Sequence, residues 1–341
     1  MRFPRATATL LLSTVFAALL PTTAMAEQVN IYSFRQPFLI EPILQQFTQQ
    51  TGIKTKVVFA KKGLIQRLQR EGELSPADIV LTSNFAKLLE LKDNGLTQPF
   101  ANDAQRDNNI PARFRDDQRH WLALTQRVRN IYSSKERRGD LSNIRYEDLA
   151  DASFRGKICT RSGKHPYNLG LIASMIAHHG VSETEQWLRD VKANLARKPQ
   201  GNDRAQVKAI KEGLCDVSLG NSYYLGKMLQ DENQVAWANA VNLNFPNQQD
   251  RGAHINVSGA VITRYAPNKQ AAETLLTFLS SEKAQQLYAE LNMEYPVKPG
   301  VPASELVQSW GEFKADELPL TTIARHRSDA LKLVDRVGFD L

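Results

Sequence analysis

The stretch from residue 29 to residue 81 constrains this chain most, because strand and helix patterns alternate there in strict order. Val29-Asn30-Ile31-Tyr32 reads as a strand, and Leu39/Ile40, Ile43/Leu44 and Phe47 form one apolar helical face closed by Gly52. Lys54 to Phe59 reads as a second strand, and Leu64, Ile65 and Leu68 mark a second helix. Ala77-Asp78-Ile79-Val80-Leu81 is the near-continuous apolar run of a strand buried on both faces. A βαβαβ order of this kind implies a parallel sheet with right-handed crossovers, hence an α/β fold. Ligands of such sheets bind at the carboxyl ends of the strands, which makes Ser33-Phe34-Arg35-Gln36-Pro37 a ligand-facing loop.

Residues 1–26 precede this pattern and read as an export leader. Arg2 and Arg5 supply the positive region, Ala6 to Leu20 the apolar core, and Ala24-Met25-Ala26 a small-x-small cleavage site. Export to a bacterial periplasm is expected, with no lipid anchor because no cysteine stands at the cleavage site. About 315 residues follow, more than one typical core holds, so two domains are expected. The formal net charge of +7 falls to +5 once the two leader arginines are removed. These charges are scattered, with no long basic run and no interleaved aromatics, which argues against nucleic acid.

A second α/β unit follows an extended stretch from Trp121 to Tyr132, in which Gln126-Arg127-Val128-Arg129 puts two guanidinium groups on one strand face. Its marks are a strand at Cys159, a helix from Asn168 to His179 ending at Gly180, and a helix opened by Gly201-Asn202-Asp203. Cys159 and Cys215 are the chain's two cysteines, each in a short apolar run. In an oxidising compartment they are expected to form one disulfide between neighbouring strands, the alternative being two buried free thiols. Cys215 opens a short strand that ends at Gly220 and is followed by Asn221-Ser222-Tyr223-Tyr224. At a strand-to-helix turn both phenols can be aimed into one cleft, although packing at a helix start also produces such a pair. A phenol titrates near 10 and ligates poorly while protonated, whereas a trivalent cation favours the phenolate. His178-His179 sits at an expected helix C-terminus, where the dipole favours histidine. No linker or internal repeat separates the two units, so the chain is expected to cross between lobes more than once, through strands.

Six blocks in order carry a resemblance: SPADIVLTSNFAKL (75–88), HPYNLGLIASMIAHHG (165–180), ARKPQGNDRAQVKAI (196–210), CDVSLGNSYYLGKML (215–229), FPNQQDRGAHINVSGA (245–260) and EYPVKPGV (294–301). Together they resemble the periplasmic ferric-ion-binding proteins of iron ABC importers over essentially the whole mature chain. The resemblance implies a two-lobed type II periplasmic-binding-protein fold, with two α/β domains joined by hinge strands and the ligand cleft between them. The boundaries expected are a leader at 1–26, a first lobe from 27–125 with 255–300, and a second from 126–254 with 301–341. It further implies Fe(III) held by Tyr167, Tyr223 and Tyr224 as phenolates, with the iron passed to an inner-membrane permease by a monomer. A His-Tyr pair expected in the first loop is replaced by Gln36-Pro37, so both first-lobe ligands are missing.

Three phenolates neutralise Fe(III), a hard cation that prefers charged oxygen. A small chelating anion such as carbonate then completes the coordination, as the family's use of synergistic anions implies. Arg35, Arg127 and Arg129 are candidates to hold it, since a guanidinium fork matches a carboxylate edge. Gln36 and Asn202 are candidates to line the cleft. His165, two residues before Tyr167, is near enough in sequence to approach the metal. A competing reading keeps the fold but gives the cleft a small organic anion, carboxylate or phosphonate, without metal. An enzyme is not expected, because no nucleophile and base are recognisable together.

Overall fold

The computed structural model describes residues 27–341, so the leader expected over 1–26 lies outside the described residues. The chain opens with β1 (Gln28–Ser33), α1 (Pro37–Thr51), β2 (Lys54–Phe59), α2 (Leu64–Glu71), β3 (Ile79–Thr82) and α3 (Phe85–Asp93). β1 lies between β2 and β3 and pairs with both in parallel. α1 buries Ile40, Ile43, Leu44 and Phe47, the face predicted from their spacing, and ends at Gly52 in the left-handed conformation. The Phe47 ring meets Phe278 with centroids 5.5 Å apart.

After β4 (Thr97–Gln98) and α4 (Ala104–Asn109) comes β5 (Leu122–Ser134), a strand of 13 residues. The second lobe then runs through β6 (Ile158–Cys159), α5 (Pro166–Ala193), α6 (Asp203–Lys211), β7 (Val217–Asn221), α7 (Tyr223–Leu229), α8 (Val235–Ala238) and β8 (Val241–Asn244). β9 (Ile255–Thr263) returns to the first lobe, where α9 (Lys269–Ser280), α10 (Glu282–Asn292) and β10 (Tyr295–Pro296) complete it. α11 (Glu305–Gln308), α12 (Leu320–Arg325) and α13 (Arg327–Val337) follow, and α13 packs along α5.

The strand order is β2-β1-β3-β9-β5-β7-β6. Parallel pairing holds for β2-β1-β3, as the βαβαβ order predicts, and for β6-β7, whereas β9 and β5 run antiparallel to their neighbours. The reason is connectivity: β5 and β9 are the crossings between lobes, and they run in opposite directions. The first half of β5 pairs with β9 and its second half with β7 and β8, so one strand belongs to both sheets. Gly259 allows the two crossing strands to close up, since a Cβ there would overlap the Leu122 backbone and lie 2.7 Å from Leu88 Cδ1.

α5 is two helical segments that meet at Gly180, whose φ of 79° and ψ of 173° are non-helical, so the first segment ends at the glycine as its position predicts. The two histidines therefore close the first segment, and each also has a carboxylate partner. His178 Nε2 meets Asp316 at 2.8 Å and His179 Nε2 meets Glu147 at 2.7 Å.

Cys159 and Cys215 form a disulfide with Cα atoms 5.8 Å apart. It joins β6 to the start of the β7 segment, 56 residues away in sequence. A closed loop of that length stabilises by about 4 kcal/mol through the unfolded chain. Replacing both cysteines with alanine is expected to lower the unfolding free energy by about 2–4 kcal/mol, measured by denaturant titration, and an unchanged midpoint would contradict this.

Candidate metal centre

β7 and the turn after it are anchored before they present anything. The Asn221 N–H donates to Asp203 Oδ2 at 3.0 Å, and the Ser222 N–H to the Val128 carbonyl at 3.0 Å. A Cβ at Gly220 would overlap the buried Tyr132 ring, so this position of the strand must be glycine for space. The strand runs one residue past Gly220, and Tyr223 is the first residue of α7. The strand-to-helix turn thus delivers both phenols side by side, with ring centroids 4.3 Å apart.

Tyr167 reaches the same place from the first turn of α5. His165 caps that helix, its Nδ1 accepting the Tyr167 N–H at 3.2 Å, and its ring lies edge-on to Tyr167 at 4.6 Å. Burial, with Arg161 next, lowers the His165 imidazole to about 3, so it is a neutral capping group. Tyr167 and Tyr223 bring their hydroxyl oxygens to 3.3 Å. All three tyrosines line a cavity of about 310 Å³ whose opposite wall is Phe34, Arg35 and Gln36 from the loop after β1. Among the described residues no three His, Cys, Asp or Glu side chains cluster as a metal site.

The profile of the family described as bacterial extracellular solute-binding protein matches residues 75–312. The chain belongs to that family. Iron uptake protein A1 of Synechocystis sp. is 36% identical over 326 residues, covering 95% of this chain and 90% of that protein. The apo ferric ion-binding protein A of Pasteurella haemolytica is 52% identical with a TM-score of 0.88, covering 93% of this chain and 99% of that one. A Trichodesmium protein solved in complex with iron and citrate is 38% identical with a TM-score of 0.87, covering 92% and 99%. The fold is the two-lobed type II architecture.

In this solute-binding protein, burial pushes the Tyr223 hydroxyl well above the ordinary phenol value, and its neighbours Tyr167 and Tyr224 push it further against the pull of Arg127. Burial and Tyr167 raise Tyr224 in the same way. Without a cation beside it, the pair is therefore protonated at neutral pH. Three guanidinium groups surround the Tyr167 ring, with Arg161, Arg127 and Arg129 carbons 5.3, 5.8 and 6.0 Å from its centroid.

The sequence expectations for the arginines separate here. Arg35 and Arg127 line the cavity. Arg129 does not; it is 2% exposed and its Nη1 is paired with Asp203 at 2.6 Å, while Nη2 donates to Asn168 at 2.6 Å. Its fork is consumed inside the protein, which removes it as an anion donor. Asn202 is likewise not in the lining, because its side chain caps α6 by accepting the Ala205 N–H at 3.0 Å.

Two acids that sequence pattern alone does not single out, Asp203 and Glu294, also belong to the site. Burial would raise the Asp203 carboxyl, but Arg129 and Arg161 beside it hold it below the usual carboxylate range. Glu294 lines the cavity and pairs with Arg35 at 3.0 Å. A signal existed: two arginines on one face of a buried strand require carboxylates, and both acids lie in the blocks quoted above.

Proposed function

We propose that this chain is the ferric-iron-binding component of an ABC importer, exported to the periplasm, with Fe(III) as its cargo. Tyr167, Tyr223 and Tyr224 hold the metal as phenolates, and Arg35 and Arg127 hold a small synergistic anion such as carbonate, with Gln36 beside it. A monomer then delivers the iron to an inner-membrane permease, and no turnover is involved. The single observation that carries this reading is the convergence of three phenols, with the Tyr167 and Tyr223 hydroxyls 3.3 Å apart and the Tyr223 and Tyr224 ring centroids 4.3 Å apart. Protonated phenols packed this closely gain little from one another; a hard trivalent cation turns them into three charged oxygen ligands. Relatives named as iron uptake and ferric-ion-binding proteins support the same cargo.

The test is colour. Purified apo protein given Fe(III) and hydrogen carbonate is expected to develop a visible tyrosinate-to-iron charge-transfer band at one iron per chain. A protein that takes no iron yet binds a carboxylate or phosphonate calorimetrically would overturn this in favour of a metal-free organic-anion carrier.

Closure of the lobes is expected to be partial and anion-dependent. The three tyrosines project from α5 and from the turn after β7, both in the second lobe. The first lobe reaches the complex only through hydrogen bonds such as those of Arg35. Such a bond contributes roughly 1.5–3 kcal/mol, short of the roughly 5.5 kcal/mol that swings a population from 1:99 to 99:1. Small-angle scattering should show little compaction with iron alone and more with iron plus anion; full compaction by iron alone would contradict the assignment.

A further inference from the structure

Two residues depart from their local rules, and each explains the other. Gly226 stands inside α7, where alanine is the better helix former, and its backbone is not in the left-handed region that calls for glycine. Met293 caps the C-terminus of α10 with φ 57° and ψ 29°, a left-handed conformation that glycine or asparagine fills more easily. The methionine side chain takes the space that the glycine leaves. A Cβ at Gly226 would lie 2.7 Å from Met293 Cγ and 3.0 Å from Met293 Cβ. Both residues are buried, and Ser304 Oγ donates to the methionine sulfur at 3.5 Å. The next residue of α7, Lys227, donates from Nζ to the Leu291 carbonyl in the last turn of α10, the end of a helix that favours a cation.

This contact joins the lobes at the helix that carries the tyrosine pair, since α7 belongs to the second lobe and α10 to the first. α7 spans only the seven residues Tyr223–Leu229 and has no side-chain cap at its start, so it is held by what it packs on. Leu225 and Met228 seat it on the second lobe's core beside Cys159 and Cys215. Gly226 and Lys227 seat it on the first lobe. Gly226 lies three residues after Tyr223, on the same side of the helix, so a shift of α7 at Gly226 carries the phenols with it. We infer that Met293 is a positioning residue for Tyr223 and Tyr224, through which the first lobe, lacking the His-Tyr ligands, still sets where the second lobe's phenols stand. This rests on the iron reading above. Met293 is not in the lining of the cavity, so it acts through α7 and not on the iron or its anion.

Titration of the mature protein with Fe(III) and hydrogen carbonate against a competing chelator, with the charge-transfer band recorded, tests this. Gly226→Ala pushes α7 off its seat and is expected to weaken iron binding by about tenfold or more and to move the band maximum, since groups that support a metal ligand cost 10–100-fold when lost. Adding Met293→Ala removes the Cγ that the new methyl group would meet, and the two alanines then face each other in its place. The double variant is expected to recover most of the affinity and the band position. Met293→Gly decides the matter if Gly226→Ala fails to fold, because the left-handed backbone suits glycine while α7 loses its support. About tenfold weaker binding and a moved band are expected of it too. The band is read on folded, iron-loaded protein, so a loss of stability alone leaves it in place. A coloured wild type whose band and affinity are unmoved by Gly226→Ala or by Met293→Gly, or a double variant no better than Gly226→Ala, overturns this inference alone. A wild type that never colours overturns the iron reading and this inference with it.

Discussion

Replacing Tyr223 or Tyr224 with phenylalanine will abolish or strongly shift the charge-transfer band and weaken Fe(III) binding by more than about a hundredfold. Groups that merely orient a metal ligand already cost 10–100-fold when removed, and these oxygens are proposed as the ligands themselves. Phenylalanine keeps each ring, and with it the 4.3 Å stacking of the pair, so the loss reports the oxygen and not the packing. The pH dependence has a fixed sign. Burial and neighbouring phenols raise Tyr223 and Tyr224, so binding must expel protons, and affinity falls as pH falls. The fall approaches a factor of ~10 per pH unit for each phenol that ionises on binding. Equilibrium titration against a competing chelator measures both effects. Single variants with wild-type affinity, or an affinity flat with pH, would contradict the assignment.

The second large effect concerns Asp203, which touches no ligand. Its carboxylate is fully buried between Arg129 at 2.6 Å and Arg161 at 3.0 Å, and it also accepts the Asn221 N–H two residues before Tyr223. Asp203→Asn leaves the buried Arg129 and the partly buried Arg161 without a counter-charge, and breaking such a cluster costs roughly 3–5 kcal/mol. Urea unfolding of the iron-free protein should show that loss near neutral pH. The folded carboxyl titrates below its unfolded value of about 3.9. Its stabilisation is therefore complete above the unfolded value and lost as pH falls through the folded one. The gap between wild type and variant should stay constant from about pH 8 to pH 5 and narrow below about pH 4. A gap that widens on acidification would contradict the ion-pair account.

The periodic features of the sequence were the readable ones. Alternating strands and helices gave the lobe architecture, and a strand-to-helix turn after β7 gave the tyrosine pair its direction. What periodicity does not encode is the identity of a partner across the fold. Arg127 and Arg129 share a strand face, yet one meets Ser258 and Glu294 and the other meets Asp203, and only the packing of β9, β10 and α6 decides which. Gly220 looked like a strand stop because glycine breaks strands. It is instead where the Tyr132 ring lies across the sheet, a contact invisible without β5 alongside β7. A lone glutamate before a two-residue strand carries no local signal, so Glu294 is legible only through the demand of the two arginines for a counter-charge.

The strand shared by both sheets has a bearing on how the chain reaches its native state. β3 lies between β1 and β9, and β9 is synthesised only after the whole of β6 to β8. The first lobe therefore cannot close its sheet while the N-terminal portion alone has emerged, and its early contacts bridge long loops whose entropy must be met first. Until β9 is made, one edge of β3 lacks its native partner strand, and α9 and α10, which cover the same core, are still to come.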